Sequence, residues 1–230
     1  MALIEVENLC KTYHTTAVPV HALSHVSLRF EKGEFTAIVG PSGSGKTTFL
    51  NLVGGLDKPT EGRITVNGIL LADLKGSQLV EYRLHHIGFV FQAYNLIPVF
   101  SALENVEFIM LLQGVGKKER QQRAIELLQA VGLGDRIHNR PGELSGGQQQ
   151  RVAVARALAS RPEFVLADEP TANLDSHSAD ELLTLMENLN KEFNMTFIFS
   201  THDARVIRRA RRVITLQDGK VADDRIQSQS

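Results

Sequence analysis

One eight-residue segment constrains this chain more than any other part of its sequence. The residues before it, Phe35–Val39, are nearly all apolar and predict a buried strand, and apolar residues at helical spacing follow from Thr48. The segment fits the pattern G-x-x-x-x-G-K-[ST] and reads Gly40-Pro41-Ser42-Gly43-Ser44-Gly45-Lys46-Thr47. A strand, a glycine-rich loop and a helix in this order direct backbone N–H groups at phosphate oxygens. We therefore predict a nucleotide-phosphate site from Gly40 to Thr48, in which Lys46 offers a cation to the terminal phosphates and Thr47 offers a hydroxyl to Mg²⁺.

The composition limits what surrounds this site. A chain of 230 residues is enough for one sizeable α/β domain, and 43% apolar with 22% charged residues is typical of a globular protein. The 25 basic and 26 acidic residues give a net charge of -1, so no global basic field holds nucleic acid. The single cysteine excludes an internal disulfide and favours a reducing compartment, the cytosol. Apolar runs such as Phe108–Leu112 are too short to span a bilayer and the N-terminus shows no signal pattern, so we expect another chain to cross any membrane on which this protein acts.

The order of predicted elements indicates an α/β fold. Strands are predicted at Leu3–Val6 and Val26–Phe30, Asn67-Gly68 marks a tight hairpin, and the residues from Ala102 to about Ser160 are helical in pattern. The strand signals return later, with a helix between the first two, at Phe164–Ala167, Thr196–Phe199 and Val213–Leu216. Strands separated by helices predict a mostly parallel sheet. The polar end from Val221 to Ser230 is predicted to be a loose tail.

Two adjacent acids end the predicted strand Phe164–Ala167. The carboxyl ends of parallel strands form the ligand crevice of such sheets, so Asp168 and Glu169 are expected beside the phosphate loop. There Asp168 would hold the Mg²⁺ shell, and Glu169 would orient and polarise the water that attacks the γ-phosphate. Without the phosphate loop, the same pair could equally be a surface turn before Pro170.

A further segment gives the chain a family resemblance. Leu144-Ser145-Gly146-Gly147-Gln148-Gln149-Gln150-Arg151 resembles the signature of the ATP-binding-cassette (ABC) ATPases and lies between the two nucleotide motifs, as it does in that family. Ser145 can cap a helix whose N-terminal amides, next to two glycines, face an anion. The remaining matches cover nearly the whole chain in order: Tyr13, Gln92, Asn173-Leu174-Asp175 and Thr201-His202-Asp203.

The resemblance implies a fold and a set of roles. The fold is an α/β P-loop NTPase: a single cassette over 1–230, with a RecA-like core and N-terminal β-rich region at about 1–92 and 161–230, and an inserted helical subdomain at about 93–160. ATP and Mg²⁺ are the implied cofactors. Tyr13 would stack on adenine, Gln92 would reach Mg²⁺ or the attacking water, and His202 would donate to the γ-phosphate. Each of these residues also has an alternative without a function. Tyr13 could be an ordinary strand-end tyrosine, Gln92 a surface glutamine and His202 a loop histidine.

The resemblance also implies partners. Two copies would form a head-to-tail homodimer around two ATP molecules, each bound by the phosphate loop of one chain and by Ser145, Gly146, Gly147 and Gln148 of the other, with Asp175 at the seam. A separate transmembrane permease would dock on the apolar segment Tyr94–Phe100, unless those side chains pack in the protein's own helical core. The arginines Arg205, Arg208, Arg209, Arg211 and Arg212 could face anionic lipid, although a solvated helix face is the simpler reading.

Linker phrases such as Gly54-Gly55-Leu56-Asp57 and Ser101–Val106 are similar to the bacterial lipoprotein-release and macrolide-efflux (LolD/MacB-like) subgroup. This implies a peripheral ATPase on the cytoplasmic face of the inner membrane that drives export or extraction of a substrate. Two alternatives are an FtsE-like ATPase that regulates a membrane partner without transport, and a soluble cassette that acts on DNA or ribosomes.

Overall fold

The computed structural model describes residues 2–14 and 18–227. The strands within these residues are β1 (Ile4–Tyr13), β2 (Val20–Phe30), β3 (Phe35–Val39), β4 (Glu61–Val66), β5 (Ile69–Leu70), β6 (Ile87–Val90), β7 (Phe164–Asp168), β8 (Thr196–Ser200), β9 (Arg212–Gln217) and β10 (Lys220–Ile226). The α-helices are α1 (Lys46–Val53), α2 (Ser77–His86), α3 (Ala102–Leu112), α4 (Lys117–Ala130), α5 (Gly146–Ala159), α6 (Ser176–Phe193) and α7 (Ala204–Arg209). None of the helices in these ranges combines the length and apolar character that a bilayer crossing requires.

A six-stranded sheet positions the predicted site. Its strand order is β10-β9-β3-β8-β7-β6, and every neighbouring pair is parallel except β9 with β10. The mostly parallel sheet is therefore confirmed. Ile38 of β3 and Asp168 of β7 both pair with Ser200 of β8, so these three strands end at one edge. The loops that start at Gly40, Glu169 and Thr201 consequently leave the sheet side by side.

Side chains of this sheet alternate between two cores, as strand geometry requires. On β7, Phe164 and Leu166 belong to one hydrophobic cluster, whereas Val165 and Ala167 belong to the other. The first cluster includes α1 and the second sheet, which has the antiparallel order β2-β1-β4-β5. Asn67-Gly68 joins β4 to β5 with positive φ at both residues, as the hairpin prediction requires. The second cluster includes residues of α3, α4, α5 and α6.

Capping residues set where two of these helices begin. Ser101 accepts from the Glu104 amide and Glu104 accepts from the Ser101 amide, so α3 starts with a complete capping box. Ser145 and Gln148 form the same pair at α5, and the predicted cap at Ser145 is confirmed. Both helices lie in the region where the sequence predicted an inserted helical part.

Two elements differ from the sequence prediction. The predicted loose tail is wrong over Val221–Ile226, because β10 pairs with β9 and Asp224 forms an ion pair with Arg212. A charged edge strand lacks the apolar alternation that marks strands in sequence. Helix α2 was not predicted, since Tyr82 is its one buried residue. Residues 228–230 of the predicted tail lie outside the described residues.

Candidate active site

A cavity of about 720 Å³ opens where the loops after β3 and β7 meet. Most of the predicted nucleotide contacts line it, although they come from distant parts of the sequence. Its lining includes Tyr13, the loop residues Gly40, Pro41, Ser42, Gly43 and Gly45, the helix start Lys46, Thr47 and Thr48, and the residues Gln92, Glu169 and His202. The volume falls within the range of about 300–1,000 Å³ that small-molecule sites have.

The phosphate loop needs glycine at two of its positions. Gly40 has φ 149° and Gly45 has φ 100°, and a Cβ on Gly45 would lie 2.4 Å from the Ala22 carbonyl oxygen. The Lys46 ammonium donates to the carbonyl oxygens of Gly40 at 2.8 Å and Pro41 at 3.0 Å, so it closes the loop on itself. Ser44 is buried, and its hydroxyl has no hydrogen-bond partner within the described residues. An unpaired buried hydroxyl in this loop fits a site that is completed by a polar ligand.

The predicted metal ligands also fit their role. The Thr47 hydroxyl donates to Asp168 Oδ1 at 3.2 Å, which joins the start of α1 to the end of β7. Gln92 lines the same cavity from the loop after β6. Hydroxyl, carboxylate and amide oxygens are hard donors of the type that Mg²⁺ binds together with phosphate oxygens.

Glu169 is held in a defined orientation beside this pair. Its backbone has φ 45°, which is uncommon for a residue with a side chain, and its amide donates to the Ser200 carbonyl at 2.9 Å. The Thr201 hydroxyl donates to Oε2 at 3.2 Å, and His202 Nδ1 lies 2.7 Å from Oε1. The Glu169 side chain is 16% exposed, whereas that of His202 is 74% exposed. The carboxylate is therefore held by the residue that follows β8, while the more exposed histidine lines the cavity beside it.

Tyr13 lies at the other end of the cavity. Its hydroxyl donates to Asp57 Oδ2 at 2.9 Å, and the Lys11 ammonium is 4.7 Å from the centroid of its ring. Burial, followed by the hydrogen bond to Asp57, raises the pKa of Tyr13. Lys11 also pairs with Asp57 at 2.8 Å, so the ring is anchored on both sides. The sequence named Asp57 only as part of a linker phrase and not as a site residue, because its partner Tyr13 lies 44 residues away.

The residues predicted to face the nucleotide of a second copy do not line this cavity. They are Ser145, Gly146, Gly147, Gln148 and Asp175. They lie together at the N-terminal ends of α5 and α6, and we call them the signature patch. A Cβ on Gly147 would lie 2.9 Å from the Cβ of Ser178, whose amide and hydroxyl donate to Asp175. These two hydrogen bonds lower the pKa of Asp175. Both Ser145 and Asp175 are exposed.

A second cavity, of about 480 Å³, lies near the predicted permease contact. We call it the docking groove, and its lining includes Val80, Phe89, Phe91, Asn95, Ile97, Phe108 and Ile109. From the predicted segment Tyr94–Phe100, Asn95 and Ile97 line the groove, whereas Leu96 packs against the protein's own core. Val99 is 70% exposed and does not line the groove. The segment is thus divided between core packing and an open apolar surface.

Gln150 is a functional candidate that sequence reasoning missed. It is fully buried in α5, and its amide donates to the carbonyl oxygens of Pro170 at 2.8 Å and Phe91 at 3.3 Å. These residues adjoin Glu169 and Gln92. The sequence places Gln150 in the signature segment but does not reveal its partners, because Pro170 and Phe91 lie 20 and 59 residues away.

The chain is similar to known proteins over nearly its whole length. The family model described as "ABC transporter" matches residues 23–172. The lipoprotein-releasing system ATP-binding protein LolD of Legionella pneumophila is 45% identical over 215 residues, which are 94% of this chain and 95% of that protein. The macrolide export ATP-binding/permease protein MacB of Hyphomonas neptunium is 49% identical over 222 residues, which are 96% of this chain but only 34% of that protein.

Solved structures give the same result. The dimeric structure of the cassette MJ0796 of Methanocaldococcus jannaschii, in a post-hydrolysis state bound to ADP and Pi, superposes with a TM-score of 0.90 at 44% identity. The match covers 99% of this chain and 100% of that one. The predicted α/β P-loop fold is therefore confirmed over essentially the whole chain.

Proposed function

The chain belongs to the ABC transporter ATP-binding family and is the ATP-hydrolysing, nucleotide-binding subunit of a transporter; from this premise we propose how its residues perform that work. The observation that carries the proposal is the 720 Å³ cavity, which gathers Tyr13, the phosphate loop, Gln92, Glu169 and His202. We propose that MgATP binds there, with the adenine on Tyr13 and the phosphates on the amides from Gly40 to Thr48. A helical subdomain over about 93–160 would supply the other functional surfaces.

Thr47, Gln92 and Asp168 are the residues that would hold Mg²⁺, because they present hard oxygens beside the loop. When bound, the cation would neutralise charge on the terminal phosphates. Glu169 would orient the attacking water and accept its proton, since its carboxylate is fixed by Thr201. His202 would donate to the γ-phosphate, and Lys46 would exchange its loop carbonyls for phosphate oxygens.

The signature patch requires a second copy of the chain to reach a nucleotide. Its residues Ser145 and Asp175 are exposed and none of its residues lines the cavity of its own chain, yet α5 begins there with Gly146 and Gly147, at a helix N-terminus of the kind that binds anions. We propose a head-to-tail homodimer in which each signature patch closes the cavity of the other copy. The dimeric form of the similar cassette MJ0796 supports this arrangement.

Glu169→Gln tests the shared site. The variant keeps the side-chain shape and removes the base, so ATP should still bind, turnover should fall by about 10²-fold or more, and an ATP-dependent dimer should accumulate. Light scattering with and without ATP measures the dimer, and phosphate release measures turnover. Glu163→Gln, on an acid beside β7 but outside the cavity, is the matched control and should keep wild-type turnover. A Glu169→Gln chain that stays monomeric at saturating ATP contradicts the shared geometry.

The docking groove supports a membrane partner. It is apolar, it lies between α2, β6 and α3, and it opens beside the loop that carries Gln92. We propose that a short cytoplasmic helix of a separate permease inserts there, because apolar grooves of this kind bind amphipathic helices. The protein would then act as a peripheral subunit at the cytoplasmic face of the bacterial inner membrane. Its relatives LolD and MacB favour export or extraction of a substrate over the FtsE-like alternative.

Val80→Asp tests the groove. Val80 lines it and is 54% exposed, so a charge there should weaken capture of the co-expressed permease while basal ATPase stays unchanged. Val99→Asp, at a residue that is more exposed and lies outside the groove, is the matched control and should retain the permease. Equal retention by both variants in a pull-down would place the permease contact elsewhere.

A further inference from the structure

A third cavity, of about 380 Å³, lies at the C-terminal end of α6, whereas the signature patch contacts the N-terminal end of that helix. It is formed by α4, the end of α5, the end of α6 and Met195 before β8. Its floor is apolar and buried, with Leu127 and Leu158 at 5% and Leu189 at 4% exposure. Phe193 forms an open lip at 57% exposure. Neither the nucleotide site nor the docking groove shares any of these residues.

Two arginines line the rim of this cavity. The guanidinium Nε of Arg123 is buried and has no hydrogen-bond partner among the residues that the structure describes. Burial, and then the positive charge of Arg161, lower the pKa of Arg123. A buried donor without a partner and two cations near each other are both unfavourable. An anion bound between them would relieve both costs.

The carboxylates nearby do not serve as that anion. Within the described ranges, the ion pairs closer than 4.0 Å include neither Arg123 nor Arg161. Glu126 lines the cavity and its charge raises the pKa of Arg123, against the effects of burial and Arg161, but its carboxylate accepts from Gln122 at 2.9 Å and lies within 4.0 Å of neither guanidinium. Glu119 lines a neighbouring cavity of about 240 Å³, which the two arginines also line, and it forms no ion pair with either of them.

We propose that this cavity binds a small amphipathic carboxylate. Its unbranched apolar tail would lie on Leu127, Leu158 and Leu189, and its carboxylate would be held by Arg123 and Arg161. A purely apolar ligand would leave the Arg123 Nε unpaired, and a small inorganic anion would leave the apolar floor open. The combination of floor and rim therefore selects a ligand with both parts. This proposal is independent of the proposed function, because the cavity is complete in one chain.

Octanoate is a suitable probe for the full-length chain without nucleotide. In a titration followed by ¹³C-methyl methionine NMR, the Met195 signal should shift saturably, because Met195 lines the cavity. Met186, which is buried elsewhere on α6, should not shift. Octanol has the same tail without the charge and acetate has the charge without the tail, so both should bind more weakly. Assignment of the signals follows from Met195→Leu.

Arg161→Gln and Arg123→Gln should each raise the Kd for octanoate about tenfold or more, as expected when a charge-assisted hydrogen bond is lost. Arg136→Gln removes a half-exposed arginine that pairs with Asp135 outside the cavity, and should leave the Kd unchanged. Arg161 is exposed, so its variant keeps the test valid if Arg123→Gln does not fold.

Three results would each overturn the proposal: no saturable shift of Met195, equal affinities for octanol and octanoate, or an unchanged Kd in a folded Arg161→Gln protein. Because the titration contains no ATP, failure here leaves the ATPase assignment intact. Failure of the Glu169→Gln experiment would equally leave the octanoate titration interpretable.

Discussion

At the scale of single residues, the site depends on backbone conformations that few side chains permit. Gly45 caps α1 in the left-handed region, and Glu169 has positive φ at the end of β7. Such conformations cost about 1–3 kcal/mol each for residues with a Cβ, so the surrounding structure must enforce them. At Glu169 the Ser200 carbonyl and the Thr201 hydroxyl do so. Residue identity at these positions therefore affects both stability and the geometry of the candidate site.

Gly45→Ala tests this at the phosphate loop. The new Cβ would lie 2.4 Å from the Ala22 carbonyl oxygen, so we expect ATP binding to be lost and the free energy of unfolding to fall by about 1–3 kcal/mol. Gly43→Ala is the control: its φ is also positive, at 80°, but no atom lies within 4 Å of the added Cβ. Gly43→Ala should lower the free energy of unfolding by about 1 kcal/mol or less. Urea unfolding and binding of a fluorescent ATP analogue measure the two effects, and equal losses in both variants would contradict the close-contact explanation.

At the scale of elements, two helices begin with the same capping box but differ in what their N-termini face. Ser101 begins α3, and Ser145 begins α5 within the signature patch. In each helix the capping box pairs the same two amides, that of the capping serine and that of the third helical residue. Only α5 has this end beside Asp175 and α6, where we propose that the second copy binds.

Replacing each cap by alanine separates structure from function. Ser101→Ala and Ser145→Ala should each lower the free energy of unfolding by about 1 kcal/mol. Only Ser145→Ala should also lower the ATPase rate, because its hydroxyl belongs to the proposed contact with the partner's nucleotide. Thermal unfolding measures the loss of stability, and steady-state ATPase assays measure the loss of activity. Parallel loss of activity in both variants would indicate that Ser145 acts through helix stability alone.

At the scale of the whole molecule, polar side chains of α5 join the helical part to the loops after β6 and β7. Gln150 is the most buried of these, since its amide connects α5 to the loops that carry Gln92 and Glu169. Arg156 of α5 also donates to the Tyr94 carbonyl at 2.8 Å, so both side chains connect α5 to the loop that carries Gln92.

Gln150→Met keeps the volume and removes both hydrogen bonds. Two carbonyl oxygens lose their partner, so the free energy of unfolding should fall by about 1–3 kcal/mol and kcat should fall while the KM for ATP changes little. Gln149→Met is the matched control, because Gln149 is only partly buried and donates to the adjacent Leu144 carbonyl at 3.1 Å. The idea fails if the two variants have the same stability and the same kcat.

The sequence by itself determined the elements that depend on local pattern. Phe35–Val39 followed by the glycine-rich loop predicted β3 and α1, Asn67-Gly68 predicted the hairpin, and Ser145 predicted the start of α5. Each depends on interactions within a few residues, such as a capping hydrogen bond or a positive φ, and these are visible in composition and spacing. The mostly parallel sheet followed from the alternation of strands with helices.

Only the tertiary structure decided which distant residues meet. Asp57 anchors Tyr13, Thr201 fixes Glu169, and Gln150 bridges two loops, although none of these pairs is close in sequence. The same holds for β10, whose charged residues form a strand because β9 offers an edge, and for Arg123 and Arg161, which line one cavity with an apolar floor. Long-range contacts leave no periodic signal in the chain, because they depend on how the elements pack and not on local propensity.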